Sequence, residues 1–243
     1  MPIDNITLIP NPELPRHIAP VRERMDIHIP DIIDGVPNRN GFIWCLTGSG
    51  GSGKSSLLLN FMKNRVFYKG KFHNIWYICP MSSYLSVEKH PFEKHDKVFH
   101  ELTVDLLEDI YSQLREIKKN AEDGDVEYNL IIIDDMADSL KDKHIEKQLN
   151  KMLIKARHLS CAFIFTLQSY FYFPKILRKQ ITNITIFKPK NSEEWNSIAK
   201  ELLHLNQDDG LKIYNYVFDA PYNHLDVDTV DDKIYKNFNQ LTF

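Results

Sequence analysis

Gly41-Phe42-Ile43-Trp44-Cys45-Leu46-Thr47 runs directly into Gly48-Ser49-Gly50-Gly51-Ser52-Gly53-Lys54-Ser55-Ser56. The first stretch is a short, continuous apolar run, the pattern of a strand buried on both faces of a parallel sheet. The second has the spacing Gly-x-x-x-x-Gly-Lys-Ser, and three physical needs explain it. Glycines let the backbone bend until several N–H groups point inward at oxygen anions. A helix follows, read over Lys54 to about Arg65 with Leu57, Leu58, Phe61 and Met62 on one face. Its positive N-terminal end meets the same anions. Lys54 reaches the β- and γ-phosphates, and the Ser55 hydroxyl can ligate Mg²⁺. Gly48 to Ser56 therefore read as a cradle for the phosphates of ATP with its Mg²⁺. A flexible Gly/Ser linker explains neither Lys54 nor the strand before it.

On the C-terminal side, strands and helices alternate. Asn74–Cys79 reads as a strand stopped by Pro80, and Leu102 to about Ala121 as a helix broken at Glu122–Asp125. Tyr128–Ile133, Ser160–Leu167 and Thr182–Phe187 read as further buried strands, and 143–158 and 192–205 as helices. Ile213–Phe218 and His224–Val227 read as late antiparallel strands. This predicts an α/β fold, a mostly parallel central sheet with helices on both faces.

In such a sheet the carboxyl ends of the strands line the ligand crevice. Asp134 and Asp135 follow the apolar residues Leu130–Ile133. Asp134 is expected to hold Mg²⁺ through water, and Asp135 to orient the attacking water as a base. Aspartate is one methylene shorter than the glutamate usual in that role, so the water must sit slightly differently. A helix cap near Met136 is the alternative use of either carboxylate. Gln168 ends the strand Phe163–Leu167, where a neutral amide can bond both water and γ-phosphate. Arg157 follows a helix, 22 positions after Asp135, and Arg178 lies beyond the next strand. A guanidinium suits the charge of a transferring phosphoryl group. Either arginine can reach a neighbouring subunit's nucleotide; a surface salt bridge is the plain alternative for each.

The 243 residues fit one α/β domain, and 43% hydrophobic content supplies its core. The formal net charge of −3 excludes a global polycation, so nucleic-acid contact has to come from local patches or rings of subunits. Cys45, Cys79 and Cys161 lie in apolar runs and read as buried, reduced thiols in a cytosolic setting. No apolar stretch reaches the roughly 18 residues of a membrane span. Met1–Asn5 lacks the basic start and apolar core of a signal peptide. Residues 1–40 are proline-rich, an expected extended arm with one short strand near Met25–Ile29; 41–243 read as the catalytic domain. Lys141, Lys143, Lys147, Lys151 and Lys155 either face DNA or form a solvated face paired with Asp142 and Glu146.

These pieces together resemble the genome-packaging ATPases of poxviruses, other large DNA viruses and virophages, within the FtsK–HerA superfamily. The matching segments are Gly48–Ser55, Tyr77–Ser83, Ile131–Met136, Ala156–His158, Phe165–Gln168, Ile176–Arg178, Asn183–Lys190 with Glu193 and Glu194, and Ile234–Phe238. They span roughly residues 40–240. The glycine loop is shared by many families; the double aspartate, the Arg-His pair and the strand-end Gln in this order are more specific. The resemblance implies a RecA-like core and a homo-oligomeric ring, pentamer or hexamer. It implies Mg-ATP hydrolysis at subunit interfaces and double-stranded DNA driven into a capsid through a portal-like vertex. Lys54 and Ser55 would hold phosphate and metal, Asp134 and Asp135 would serve metal and water, Gln168 would sense the nucleotide, and Arg157 would be the finger. The place of action would be the virus factory in the host cytoplasm, or the virion.

Rival functions make different demands. A cellular or plasmid translocase would usually carry a further DNA-orienting or membrane domain. A small-molecule kinase wants an arginine-rich lid, whereas the basic residues here spread along one helix. A GTP switch wants Asn-Lys-x-Asp, which is absent from the sequence. A nucleotide-gated assembly scaffold has no use for Asp135 and Gln168.

Overall fold

The apolar run at Ile43–Thr47 is β1, and all five of its residues are buried. In the computed structural model, which describes residues 27–121 and 126–242, it is followed by α1 (Lys54–Lys63), β2 (Asn74–Ile78), α2 (Met81–Leu85), β3 (Val98–Phe99) and α3 (Val104–Asn120). Then come β4 (Asn129–Asp134), α4 (Lys143–Leu153), β5 (Cys161–Leu167), α5 (Lys175–Arg178), β6 (Asn183–Phe187), α6 (Ser192–Glu201) and α7 (Gln207–Val217). The chain closes with β7 (His224–Asp228), β8 (Lys233–Lys236) and β9 (Asn239–Gln240). The described strands form one sheet in the order β3-β2-β4-β5-β1-β6-β7-β8-β9. β1 to β6 run parallel, and β7 to β9 extend the sheet antiparallel.

Both faces of the parallel part are covered, so its strands show no polar alternation. The pleat still divides them. Ile43, Cys45, Ile131, Ile133, Phe163 and Phe165 pack with α3 and α4, while Trp44, Leu46, Leu130, Ile132 and Ile164 pack with α1. Cys45, Cys79 and Cys161 are free and buried. Burial pushes the Cys45 thiol up to about 12 and Cys79 to about 11.

Three expectations are corrected. Ile213–Phe218 is not a strand; it belongs to α7. β-branched and aromatic residues suggest a strand there, but Asn206 caps a helix by accepting from the Asp209 N–H at 2.9 Å. Ile213, Tyr214 and Val217 then fall on one face against Trp195 and Phe218, at helical spacing. The helix expected over 143–158 ends at Leu153, because the chain must reverse into β5. Ser160 takes a left-handed φ of 47° and the Cys161 N–H donates to the Ala156 carbonyl. α6 likewise stops at Glu201, short of Leu205.

Most of the proline-rich arm, residues 1–26, and the breaker Glu122–Asp125 lie outside the described residues. Of the strand expected near Met25–Ile29, a single antiparallel bridge between His28 and Arg39 is seen. Ile29, Ile32 and Val36 are buried beside α1, and the Tyr68 hydroxyl donates to the Pro37 carbonyl at 2.8 Å. Among the described residues, no helix is long and apolar enough to cross a membrane.

Candidate nucleotide site

The carboxyl ends of β1, β4 and β5 are level, because Thr47 pairs with Leu167 and Asp134 with Thr166. The strand order places β5 between the strand of the glycine loop and the strand of the two aspartates. Gln168, one residue beyond β5, therefore stands between the two. The Gly48 N–H donates to the Leu167 carbonyl at 3.1 Å and ties the loop to that strand.

The loop turns through Gly53, whose φ of 106° is open to glycine and strained for any other residue. A Cβ there would also meet the rings of Phe187 and Tyr222 at 3.4 Å. The next residue, Lys54, is buried, and its Nζ donates to the carbonyls of Gly48 at 2.6 Å and Ser49 at 3.1 Å. Burial lowers the Lys54 pKa, and the charges of Asp135 and Asp134 oppose that shift. An ammonium so placed gains from any anion set in the loop. Ser55 and Ser56 are exposed in the first turn of α1. Buried within the same wall, Ser52 Oγ and Thr47 Oγ1 have no hydrogen-bond partner in the described chain. Unused buried oxygens, a bent glycine loop and a half-compensated ammonium fit a triphosphate and its cation. Ser55 and Asp134 are the oxygen donors a Mg²⁺ ion would take.

Asp134 is buried and already holds two hydroxyls. Tyr77 Oη donates to it at 2.7 Å, and Thr166 Oγ1 donates to its other oxygen. Burial, then the Asp134 charge, raises the Tyr77 phenol well above its ordinary range. Thr166 also accepts from the Asp135 N–H, through Oγ1 at 3.1 Å and its carbonyl at 3.3 Å. These two residues were not singled out in the sequence. The signal was there for Thr166, a polar residue within an otherwise apolar strand; Tyr77 gave none, since a tyrosine in a strand is ordinary. Asp135 sits in a left-handed conformation, φ 57°, that turns its carboxylate out of the strand line. Gln168 Nε2 donates to Asp135 Oδ1 at 3.2 Å. The capping alternative for the two aspartates is not taken up: the 3₁₀ turn at Ser139–Lys141 is entered from Asp138, and Asp134 and Asp135 bond Tyr77, Thr166 and Gln168 instead.

Two clefts flank this centre. One, of about 640 Å³, is bounded by the loop residues Ser49 and Ser52 and by Phe187, Lys188, Tyr214 and Tyr222. Tyr222 is 72% exposed and has a φ of 65°. Some of that wall's polar groups are engaged: Asn223 Nδ2 donates to Asp219 Oδ1, which Lys236 also meets from outside the cleft, and Lys188 Nζ donates to the Phe218 carbonyl at 3.5 Å. The other cleft, of about 500 Å³, lies against Asp135 and Gln168 and is lined by His100, Glu101 and Asp138.

The two arginines part company. Arg157 lies in the turn before β5, at the opposite end of the sheet. Its backbone packs on Gly41, where a Cβ would approach the Arg157 nitrogen to 2.4 Å, and its carbonyl accepts from Asn40 Nδ2 at 3.1 Å. Arg178, at the end of α5, is spent inside its own subunit. Its Nε donates to the Phe173 carbonyl at 2.8 Å, and its guanidinium carbon lies 4.3 Å from the Tyr170 ring centroid. On the basic helix, Lys143 pairs with Glu146, Lys141 pairs with Asp138, and Asp142 caps α4.

The sequence profile described as Poxvirus A32 protein matches residues 37–241. No curated protein matches the chain. Among solved structures, the DNA-packaging ATPase B204 from Sulfolobus turreted icosahedral virus superposes with a TM-score of 0.61 at 17% identity, covering 81% of this chain and 96% of that one. The genome packaging NTPase B204 from Sulfolobus turreted icosahedral virus 2, in complex with ATP-gammaS, gives 0.58 at 19% identity over 81% and 97%. EssC (ATPases 2 and 3) from Geobacillus thermodenitrificans gives 0.54 at 16% identity, covering 77% of this chain and 38% of that one. At these identities the likeness carries the fold, a P-loop core of mixed α/β type.

Proposed function

Since the chain belongs to the Poxvirus A32 family, we propose that it is the genome-packaging ATPase of a DNA virus and that it moves double-stranded DNA into a capsid with the energy of ATP hydrolysis. The observation that carries this is the strand order. The phosphate loop that leads to Lys54, the residue Gln168 and the pair Asp134-Asp135 stand at the ends of three neighbouring strands, so phosphate, attacking water and metal are served from one rigid edge. The family match favours a viral translocase over a cellular one. Its place of action is the virus factory or the virion.

Within the site, the loop N–H groups and Lys54 hold the triphosphate and offset its charge. Mg²⁺, held by Ser55 and through water by Asp134, would spread the charge of the β- and γ-oxygens. Tyr77 and Thr166 hold the Asp134 carboxylate in place. Asp135 takes a proton from the attacking water, and Gln168, bonded to it, aligns that water with the γ-phosphate. The base lies in the larger cleft beside Tyr222, held by stacking on its ring.

Arg157 acts in trans. A closed head-to-tail ring brings different faces of the same chain together, so a residue remote from its own phosphate loop can meet the neighbour's. The ring gives the −3 chain a central surface for DNA and a docking face for the capsid vertex. ATP turnover measured with and without double-stranded DNA tests this. Stimulation that disappears in Lys54→Ala is expected; turnover indifferent to DNA would leave a scaffold or a kinase instead.

A further inference from the structure

The turn that follows Gln168 is held from two sides by charged groups outside the phosphate cradle. From α6, Glu194 Oε1 accepts from Ser169 Oγ at 2.8 Å and from the Tyr170 N–H at 2.5 Å. From α5, Arg178 donates to the Phe173 carbonyl at 2.8 Å and to the Phe171 carbonyl at 3.2 Å. The Tyr170 hydroxyl donates to Glu201 at 2.9 Å, and Arg178 lies 3.5 Å from the same carboxylate. The Arg178 side chain is only 9% exposed. Three of these, the Tyr170 N–H to Glu194 and Arg178 to the Phe173 and Phe171 carbonyls, are charge-assisted bonds to backbone, stronger and more directional than surface ion pairs.

A bland use of Glu194 is to favour the positive end of α6. Glu193, exposed in the same turn, serves that purpose without a side-chain hydrogen bond of its own among the described residues. Glu194 instead is half-buried, with one oxygen committed to two donors of another loop. Every bond of the clamp falls on the residues just after Gln168, whose own bond to Asp135 is 3.2 Å long. At that length, a displacement of about 1 Å breaks it. α6 also begins directly after Lys188–Lys190, which line the nucleotide cleft.

We propose that Glu194 and Arg178 are positioning residues that hold Gln168 against Asp135, with no contact to nucleotide. The proposal rests on Gln168 acting at the γ-phosphate, as argued above. It assigns Arg178 to its own subunit and leaves the trans role to another arginine.

Turnover and analogue binding, measured on the full chain, test it. Glu194→Ala is expected to lower kcat by about 10–100-fold, the scale set by a small misplacement of a reacting group, with the Kd of a non-hydrolysable ATP analogue changed less than about 2-fold. Glu194→Gln keeps an acceptor oxygen and recovers most of the turnover. Glu194→Ala combined with Gln168→Ala is no slower than Gln168→Ala alone, since nothing is left to position. Losses that multiply in the double variant, or wild-type turnover in Glu194→Ala, overturn the proposal. Full turnover in Gln168→Ala sinks the earlier reading of Gln168 instead, whatever Glu194 does. If Glu194→Ala does not fold, Arg178→Lys carries the same comparison. It keeps the charge, loses the fork to two carbonyls, and should cost turnover without costing affinity; a loss of affinity alone overturns the clamp.

Discussion

The two ends of this sheet are built differently. At the carboxyl ends of β1, β4 and β5, polar groups converge and satisfy one another: Tyr77 and Thr166 on Asp134, Gln168 on Asp135, Lys54 on its own loop. At the amino ends, Arg157 stands exposed on a turn whose backbone packs on Gly41 and whose carbonyl accepts from Asn40. The separation is about 16 Å of strand. One end is assembled within a subunit; the other lies a strand's length away from that subunit's own phosphate loop. On the proposed function, hydrolysis would be divided between this preformed half-site and a half-site brought by a neighbouring subunit. Such a division couples assembly to turnover.

The strongest way to break this contrast is to remove the amino-end charge. Arg157→Ala should bind ATP normally and lose about 10³-fold or more in kcat, the range of trans-acting fingers. Mixed with Asp135→Asn, which keeps Arg157, it should regain part of the activity, because some interfaces then hold one intact half from each chain. Absence of rescue in rings whose mixing is confirmed by mass would make Arg157 a structural residue. Lys54→Ala comes next, with a loss of about 10²–10³-fold in turnover at the carboxyl end alone, and no rescue by any Arg157 donor. Retention of a tenth of the wild-type rate would count against the cradle.

Smaller effects sharpen the carboxyl end. Thr166→Val keeps the shape and removes one charge-assisted bond to Asp134, so a turnover loss of about 10-fold is expected, together with a higher Mg²⁺ requirement in a metal titration. An unchanged metal dependence would detach Thr166 from the cation. Tyr222→Ala should weaken analogue binding by about 3–10-fold through lost stacking, with kcat nearly unchanged. A defect in kcat alone would place the base elsewhere.

The phosphate cradle was legible because its chemistry is local. Glycines, a lysine and a serine at fixed spacing after an apolar run make an anion site wherever they fold, and Asp134-Asp135 after four apolar residues mark a strand end with equal economy. The parallel strands were legible from continuous apolar runs, and the exchange of α7 for a strand shows the limit of that signal. Ile213, Tyr214, Tyr216 and Val217 have strand-forming side chains, yet the Asn206 cap and the packing on Trp195 favour a helix.

What the amino-acid order determined alone was strands β1, β2, β4, β5, β6 and β7, the phosphate loop and the acidic strand end, all carried by neighbours in sequence. Tertiary structure decided that β5 lies between β1 and β4, and so that Gln168 meets Asp135 across 33 residues of chain. It also decided that Tyr77 and Thr166 serve Asp134, and that Arg178 holds the turn after Gln168 while Arg157 sits at the other end of the sheet. Local spacing cannot carry these facts, since strand order is chosen by which apolar faces bury best against which helices, a property of the whole core.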